Sequence, residues 1–255
     1  MKETKVFNDH VKHRNKLTQA IHDFDSFEGG VGDRNTIKII NIEGVNVNIK
    51  AFKTPNIFNQ IAYRFFRKSK AQRSFEYAKK LIELGVGTPE PLAFFEFNTL
   101  LLFKKSFYLS EQLDCDLTYR ELITDLNYPN YETILRAFTR FTYLLHERGI
   151  QFLDHSPGNT LIKKNGNHYD FYLVDLNRMN FGELDFETRI KNFSRLTMYK
   201  SMVEIMSDEY AKCSGKDYEL IFNLMWDSTL RFQEKYHNRM KLKKTIKFWK
   251  KNSNS

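Results

Sequence analysis

The sequence predicts an α+β fold with two lobes, an antiparallel sheet carrying one helix followed by a mostly helical lobe with one small strand pair. Strand-like alternation dominates up to about residue 113, and helical periodicity dominates from about residue 133 onward. We therefore expect a first lobe at 1–113, a second lobe at 114–234 and a basic C-terminal tail at 235–255. A cleft is expected between the two lobes.

Size, composition and charge indicate a globular protein with an anionic partner. The chain has 255 residues, of which 41% are hydrophobic and 15% aromatic, so it can bury a substantial core and is not disordered. Its formal net charge is +9 and its pI about 9.3. Such a balance indicates an anionic partner, which is a nucleic acid, a membrane surface or a phosphorylated or acidic substrate.

Cysteine usage and the N-terminus indicate a cytoplasmic protein. Cys115 and Cys213 lie far apart and in no metal-ligand spacing, which is typical of a reducing compartment without a disulfide framework. The N-terminus lacks the apolar core of a secretory signal. The most apolar run, 91–103, is interrupted by Glu96 and Asn98 and is too short to span a bilayer.

Sequence patterns predict the strands and helices of both lobes. A strand is expected to start at 24–27, a glycine-containing loop follows at 29–35, and strands at 36–42 and 45–52 flank a Glu43-Gly44 turn. A helix is predicted at 74–84, followed by strands at 92–97 and 100–113. In the second lobe an amphipathic helix at 133–148 ends at Gly149, and further helical sequence runs from about 187 to 233.

Three polar residues carry the chemistry. Asp154 precedes Asn159 by five positions, an apolar strand follows, and Asp175 closes a second apolar strand. This layout is typical of a kinase catalytic loop, in which the first Asp orients an attacking hydroxyl while the Asn and the second Asp hold Mg²⁺ on the ATP phosphates. The spacing of Asp154 and Asn159 alone is also that of an ordinary turn. The second apolar strand ending in Asp175 favours the kinase interpretation.

Nucleotide-contacting residues are predicted upstream. Gly30, Gly32 and Arg34 lie in a loop whose backbone amides could cover phosphates, although the glycines do not follow the G-x-G-x-x-G spacing and a turn without a ligand explains them equally well. Lys50, on the return strand, is the candidate phosphate-contacting lysine. Lys53 is its rival, and Lys50 is preferred because it shares a strand face with Asn48.

Two further contacts follow from chain order. Glu76 lies in the predicted helix at 74–84, where a kinase carries the glutamate that pairs with the strand lysine. An exposed helix glutamate is the alternative. Glu111 and Leu113 lie at the end of the last strand, where a kinase hinge grips adenine through its backbone.

The motifs resemble those of the lipopolysaccharide core kinase family, the Kdo and heptose kinases of Gram-negative bacteria, which are relatives of protein kinases. The stretches that carry the resemblance are 145–150, 154–161 and 173–178. Upstream, 47–53, 67–71 and 85–91 resemble Bacteroides-type versions of that family, and the resemblance covers roughly residues 28–196.

The resemblance implies an ATP- and Mg²⁺-dependent transfer to Kdo or another inner-core sugar on lipid A. It implies Asp154 as the catalytic base, Asn159 and Asp175 as Mg²⁺ ligands, and Lys50 on the phosphates. Phe152 stands where such kinases usually carry a histidine that supports the loop. This departure leaves open a pseudokinase that binds nucleotide without turnover, and the fold also leaves open a small-molecule or protein acceptor.

The tail suggests a surface partner. Residues 235–251 contain eight Lys or Arg and no acid, interleaved with apolar side chains that include Phe248 and Trp249. Such a segment suits an anionic membrane surface, which would place the protein peripherally on the inner membrane. A nucleic-acid partner is the less favoured alternative, and a solvated terminal helix is the third.

Overall fold

A computed structural model of the protein describes residues 1–28, 30–31 and 35–252, and the side chains of all of these except residues 31 and 244–252. The chain divides into two compact units. Unit 1 comprises Met1–Asp116 and Tyr172–Met179, and unit 2 comprises Leu117–Phe171 and Asn180–Ser255.

Unit 1 contains a six-stranded sheet in the part of the chain that the structure describes, and all of its paired strands are antiparallel. The strand order is β1-β5-β6-β4-β3-β2. The strands are β1 (Lys2–Phe7), β2 (Gly30–Val31), β3 (Asn35–Ile42), β4 (Val45–Phe52), β5 (Pro91–Asn98) and β6 (Phe103–Glu111). The predicted hairpin around Glu43-Gly44 is confirmed as β3 and β4, and the antiparallel sheet of the first lobe is confirmed with it.

Helices lie on both faces of this sheet. They are α1 (Arg14–His22), α2 (Ile57–Phe65) and α3 (Lys70–Glu83). On one face Val47 and Ile49 are buried with residues of α1, and on the other Phe52 is buried with Phe75 of α3 and Phe94. Such opposite placement follows from the two-residue period of a strand.

The sequence missed several elements of unit 1. Of its three helices only α3 was expected, and β1 was not expected at all, although it pairs with β5 along its whole length. The strand expected at 24–27 is wrong: Phe24–Ser26 form a single 3₁₀ turn after α1, with Phe24 buried in the core. Four residues with an apolar side chain only at each end are too few for periodicity to distinguish a strand from a turn.

Unit 2 is mostly helical, as predicted. Its helices are α4 (Tyr119–Thr124), α5 (Tyr131–Glu147), α6 (Phe186–Lys191), α7 (Lys200–Ser214) and α8 (Tyr218–Asn252). The remaining strands form two small sheets, β10-β9-β7 and β11-β8. These strands are β7 (Leu117–Thr118), β8 (Ile150–Phe152), β9 (Thr160–Asn165), β10 (His168–Leu173) and β11 (Met179–Phe181).

Gly149 fixes the junction between α5 and β8. Its φ is +67°, and a Cβ built on it would lie 2.7 Å from the carbonyl oxygen of Gly182. A side chain is therefore excluded both by the left-handed backbone and by the neighbouring chain. The expected end of the α5 helix at this glycine is confirmed, and β8 then leads into the loop that carries Asp154.

The last helix, α8, continues through the basic segment that begins at Lys235. Among the described residues, no helix combines the length and apolar character that crossing a membrane would require.

Candidate active site

Lys50 is held by an ion pair inside unit 1. Its Nζ lies 2.8 Å from Oδ1 of Asp175, and only 13% of the lysine side chain is exposed. Because Val47 and Ile49 face the core with α1, Lys50 points to the opposite face of β4, as the alternation predicted. The lysine is flanked in register by Ile37 and Tyr108 on the neighbouring strands, so its backbone position is fixed from both sides.

The Asp175 segment is attached to unit 1 by the chain just before it. Leu173 donates its backbone N–H to the carbonyl of Gly87 at 2.9 Å, and Thr88 donates its hydroxyl to the carbonyl of Leu173 at 2.8 Å. Asp175 itself has a φ of +60°, which is uncommon for a residue with a side chain but tolerated by aspartate. Asn177 donates from Nδ2 to Oδ1 of Asp175 at 2.6 Å.

These contacts suit a magnesium ligand. Both donors reach Oδ1, so Oδ2 of Asp175 has no hydrogen-bond partner among the described residues. Mg²⁺ in phosphoryl-transfer sites is bound by one or two protein oxygens together with the substrate phosphates, so a dedicated cage of side chains is not needed. In the part of the chain that the structure describes, no group of three or more His, Cys, Asp or Glu side chains could hold a metal ion by itself.

The expected ion pair between Lys50 and Glu76 is wrong for this structure. Glu76 accepts from Lys68 Nζ at 2.8 Å and from Gln72 Nε2 at 2.9 Å, whereas Lys50 is bound to Asp175. Gln72 lies one helical turn before Glu76 on α3 and is therefore a ready local partner.

The glycine-loop residues are only partly described. Gly30 lies in the edge strand β2 opposite Ile37, and a Cβ added to it would meet no atom within 4 Å. Packing around Gly30 therefore does not demand a glycine. Gly32 and Arg34 lie outside the described residues.

The predicted hinge lies at the end of β6. Glu111 pairs in register with Val47 and donates its N–H to the carbonyl of Glu90 at 2.9 Å. Its side chain lines a cavity of about 170 Å³ together with residues of α1 and its flanks, on the face opposite Lys50. The next residue but one, Leu113, accepts from Gln112 Nε2 at 3.3 Å through its carbonyl. A role for Glu111 and Leu113 in adenine binding stays a prediction about their backbone groups.

Asp154 lies in a loop of unit 2 that Arg195 holds. Arg195 donates from Nη1 to the carbonyl of Leu153 at 2.8 Å and to Oδ1 of Asp154 at 3.1 Å. One guanidinium group thus fixes both the backbone and the carboxylate, in the manner for which its fork of donors is suited.

Asn159 closes the same loop. Its Nδ2 donates to the carbonyl of Asp154 at 2.8 Å, and its backbone N–H donates to the carbonyl of Ser156 at 3.0 Å. Since the amide nitrogen is turned toward Asp154, the amide oxygen is left to accept from other donors or to bind a cation. Asp154 and Asn159 are therefore brought together within unit 2, as Lys50 and Asp175 are within unit 1.

Buried aromatic side chains stabilise the loop that carries Asp154. Phe152 is fully buried, and the buried His155 ring stacks on Phe138 with centroids 5.3 Å apart. Burial, together with the smaller effects of the nearby His146 and Arg195, lowers the pKa of His155 to about 3. A neutral, buried imidazole 3.2 Å from the Thr142 hydroxyl is a packing group and does not exchange protons with substrate.

Two polar residues of these groups were missed by the sequence interpretation. Asn177 lies two residues after Asp175, and its short polar side chain in that position was a usable local signal. Arg195 lies 41 residues beyond Asp154, in a stretch without any motif. No sequence pattern pointed to it.

Comparison with known proteins identifies the family and the fold. A sequence profile of the "Lipopolysaccharide kinase (Kdo/WaaP) family" matches residues 51–221. A solved structure described as "WaaP in complex with acyl carrier protein" matches 92% of this chain and 98% of that chain, with a TM-score of 0.61 and 14% sequence identity. No curated protein sequence matches the chain.

The structural likeness shows a shared fold, and the profile covers more than half of the chain. Members of the matched family are kinases, which are phosphotransferases that use a hydroxyl group as acceptor. The chain belongs to the lipopolysaccharide kinase (Kdo/WaaP) family.

Proposed function

We propose that this protein transfers the γ-phosphoryl group of ATP to a sugar hydroxyl of the lipopolysaccharide inner core, with Kdo as the acceptor sugar. The observation that carries the proposal is the ion pair of Lys50 with Asp175. A strand lysine and a post-strand aspartate that are remote in sequence are held together there, and in a kinase these two residues contact the phosphates and the metal.

Asp175 and Asn159 would hold Mg²⁺, which when bound offsets the negative charge of the phosphates. Asp175 would use Oδ2 and Asn159 its amide oxygen, because the other polar atoms of both side chains are already engaged. Lys50 has three N–H donors, so it can keep Asp175 and still donate to a phosphate oxygen.

Asp154 would orient the acceptor hydroxyl and accept its proton during attack on the phosphoryl group. Arg195 is a positioning residue for this carboxylate, since it binds both Asp154 and the carbonyl before it. The buried His155 stays neutral near pH 7, so the proton goes to Asp154.

The acceptor is proposed from the family. A core sugar attached to lipid A would be met at the cytoplasmic face of the membrane, where this chain would act as a peripheral protein. Acyl carrier protein is the partner in the solved WaaP complex, and a complex with it is a further expectation for this basic chain.

A pseudokinase is the second candidate, and Phe152 is the residue that favours it. The contacts of Phe152 favour a stabilised Asp154 loop instead, because its ring is buried and its carbonyl accepts from Asn192 Nδ2 at 2.8 Å. We therefore expect turnover, with apolar packing replacing the usual histidine.

The test is a thermal-shift titration with Mg-ATP followed by a phosphate-transfer assay on Kdo-lipid A. The wild type should be stabilised by Mg-ATP and should turn over. Asp154→Ala should keep the stabilisation and lose transfer by about a thousandfold or more, since general-base groups contribute about 10²–10⁴ in rate. Asp170→Ala, which removes a carboxylate bonded to Asn165 on the β9–β10 hairpin, is the control and should behave as wild type.

Each outcome decides between the candidates. Transfer retained by Asp154→Ala would refute the assigned base. Stabilisation of the wild type by Mg-ATP with no transfer to any core glycolipid would refute the proposed acceptor and favour the pseudokinase. Mass spectrometry of lipopolysaccharide from a deletion strain should show loss of one core phosphate.

A further inference from the structure

An apolar surface lies on unit 1 where α2 meets the tip of the β5–β6 hairpin. The most exposed side chains are Leu100 at 84%, Phe66 at 82%, Phe58 at 80% and Leu101 at 63%. Ile61 and Phe65 complete it, and these six residues are called the α2–hairpin surface. No residue of α2 is buried, so this helix is not part of the core.

The surface is built as one piece. Arg64 of α2 donates from Nε to the carbonyl of Thr99 at the hairpin tip at 3.3 Å. Tyr63 packs on Phe103 at the start of β6, with ring centroids 5.6 Å apart. Ile61 and Phe65 then line a cavity of about 450 Å³ together with Leu100 and the other residues of the tip. Two remote segments are thereby locked into a single apolar face.

Cations lie beside this face, and acids are missing from the segments that build it. Residues 53–75 contain six Lys or Arg and no Asp or Glu, and residues 97–110 contain no acid either. Beside α2, Lys53 and Lys70 line a cavity of about 270 Å³. Arg67, which follows the helix, is exposed. The surface therefore suits a partner that is apolar at its centre and anionic beside it.

We propose that the α2–hairpin surface docks on an anionic phospholipid bilayer, with Phe58, Phe66 and the two tip leucines entering the interfacial region. Phenylalanine and leucine side chains enter the boundary between headgroups and acyl chains, and lysine and arginine at its edge meet lipid phosphates. A deformable bilayer suits side chains that project outward, whereas a protein groove would need matching pockets. This docking surface belongs to unit 1 and does not include the basic tail. The proposal rests on the proposed function only because a glycolipid acceptor lies in a membrane.

Vesicle flotation of the full chain tests the proposal. The protein should float with phosphatidylglycerol–phosphatidylcholine vesicles and at least tenfold less with phosphatidylcholine alone. Phe58→Ser/Phe66→Ser should reduce the bound fraction about tenfold, and Leu100→Ser/Leu101→Ser should act in the same direction. Leu220→Ser/Leu230→Ser, which removes two half-exposed leucines of α8, is the matched control and should float as wild type. Thermal melting of each variant reports whether it is folded.

Three results would overturn the docking surface. The first is a wild type that does not float with anionic vesicles. The second is a folded Phe58→Ser/Phe66→Ser variant that floats fully, which would assign binding to the tail. The third is capture of acyl carrier protein, lost in that variant, without flotation, which would assign the surface to a protein partner. Since no phosphate transfer is measured, Asp154→Ala should float as wild type, and failure of the proposed function would leave this result unchanged.

Discussion

The two carboxylates assigned to chemistry, Asp175 in unit 1 and Asp154 in unit 2, are oriented in different ways. Asp175 is held through its side chain, since an ammonium and an amide N–H both reach Oδ1. The Asp154 loop is held largely through its backbone, because Arg195, Asn192 and Asn159 bind the carbonyls of three successive residues, 153, 152 and 154. Both arrangements preorganise a carboxylate, with 31% of the Asp175 side chain and 18% of the Asp154 side chain exposed.

The largest expected effect is a loss of phosphate transfer that is much greater in Asp175→Ala than in Glu76→Ala. Asp175→Ala removes a proposed metal ligand and leaves Lys50 without its partner, so transfer should fall by about a thousandfold or more, about 4 kcal/mol in the barrier. Glu76→Ala removes contacts to Lys68 and Gln72 and should lower transfer less than tenfold. Steady-state kinetics on both variants measure this.

An equal loss in the Glu76→Ala variant would contradict the pairing described above. It would mean that Lys50 exchanges Asp175 for Glu76 during the reaction. Thermal melting serves as the control for folding in both variants.

A smaller loss of kcat is expected on substitution of Arg195, because this residue orients Asp154. Arg195→Ala should lower kcat about ten- to a hundredfold with little change in stabilisation by Mg-ATP, since it orients the carboxylate and the loop without contacting nucleotide. Arg195→Lys should recover part of kcat, because an ammonium can still meet one of the two acceptors.

Arg189→Ala is the matched control for that experiment. Arg189 also binds a carbonyl and a carboxylate in unit 2, those of Leu184 and Glu147. Its loss should lower the melting temperature and leave kcat near wild type. A parallel fall of kcat in both variants would show that Arg195 acts only through general stability.

The smallest effect concerns the aromatic support of the loop. Burial lowers the pKa of His155 to about 3 and that of His146 to about 4, whereas an unfolded histidine titrates near 6.5. Between about pH 6.5 and 4 the unfolded chain binds protons that the folded chain does not. The free energy of unfolding should therefore fall as pH falls, by up to about 1.4 kcal/mol per pH unit for each histidine.

Urea unfolding at several values between pH 7 and 4.5 measures this slope. His155→Leu should reduce the slope by about one proton, and His168→Gln on the exposed β9–β10 hairpin is the control for removing a histidine from the surface. A slope that is the same in His155→Leu and wild type would show that His155 is not the group kept neutral by burial.

The sequence predicted the structure well where the conformation of a short segment depends on its own residues. The alternation of 45–52 placed Lys50 opposite the core, and the α5 helix and its glycine stop were predicted to within two residues at each end. Asp154, Asn159 and Asp175 were proposed because their spacing reflects one loop and two strands. Pairings across the chain were not accessible in the same way. Glu76 was chosen by chain order and turned out to have local partners, and Arg34 of the glycine-containing loop lies outside the described residues.

The sequence by itself determined the family, the two-part α+β plan and the polar residues proposed for chemistry, because each of these depends on short-range spacing. Only the tertiary structure decided that Lys50 pairs with Asp175, that Arg195 holds the Asp154 loop, and that α2 joins a hairpin tip in one apolar surface. These contacts join segments that are distant in sequence, and their partners are selected by the packing of whole elements. No periodicity within a single segment can encode that choice.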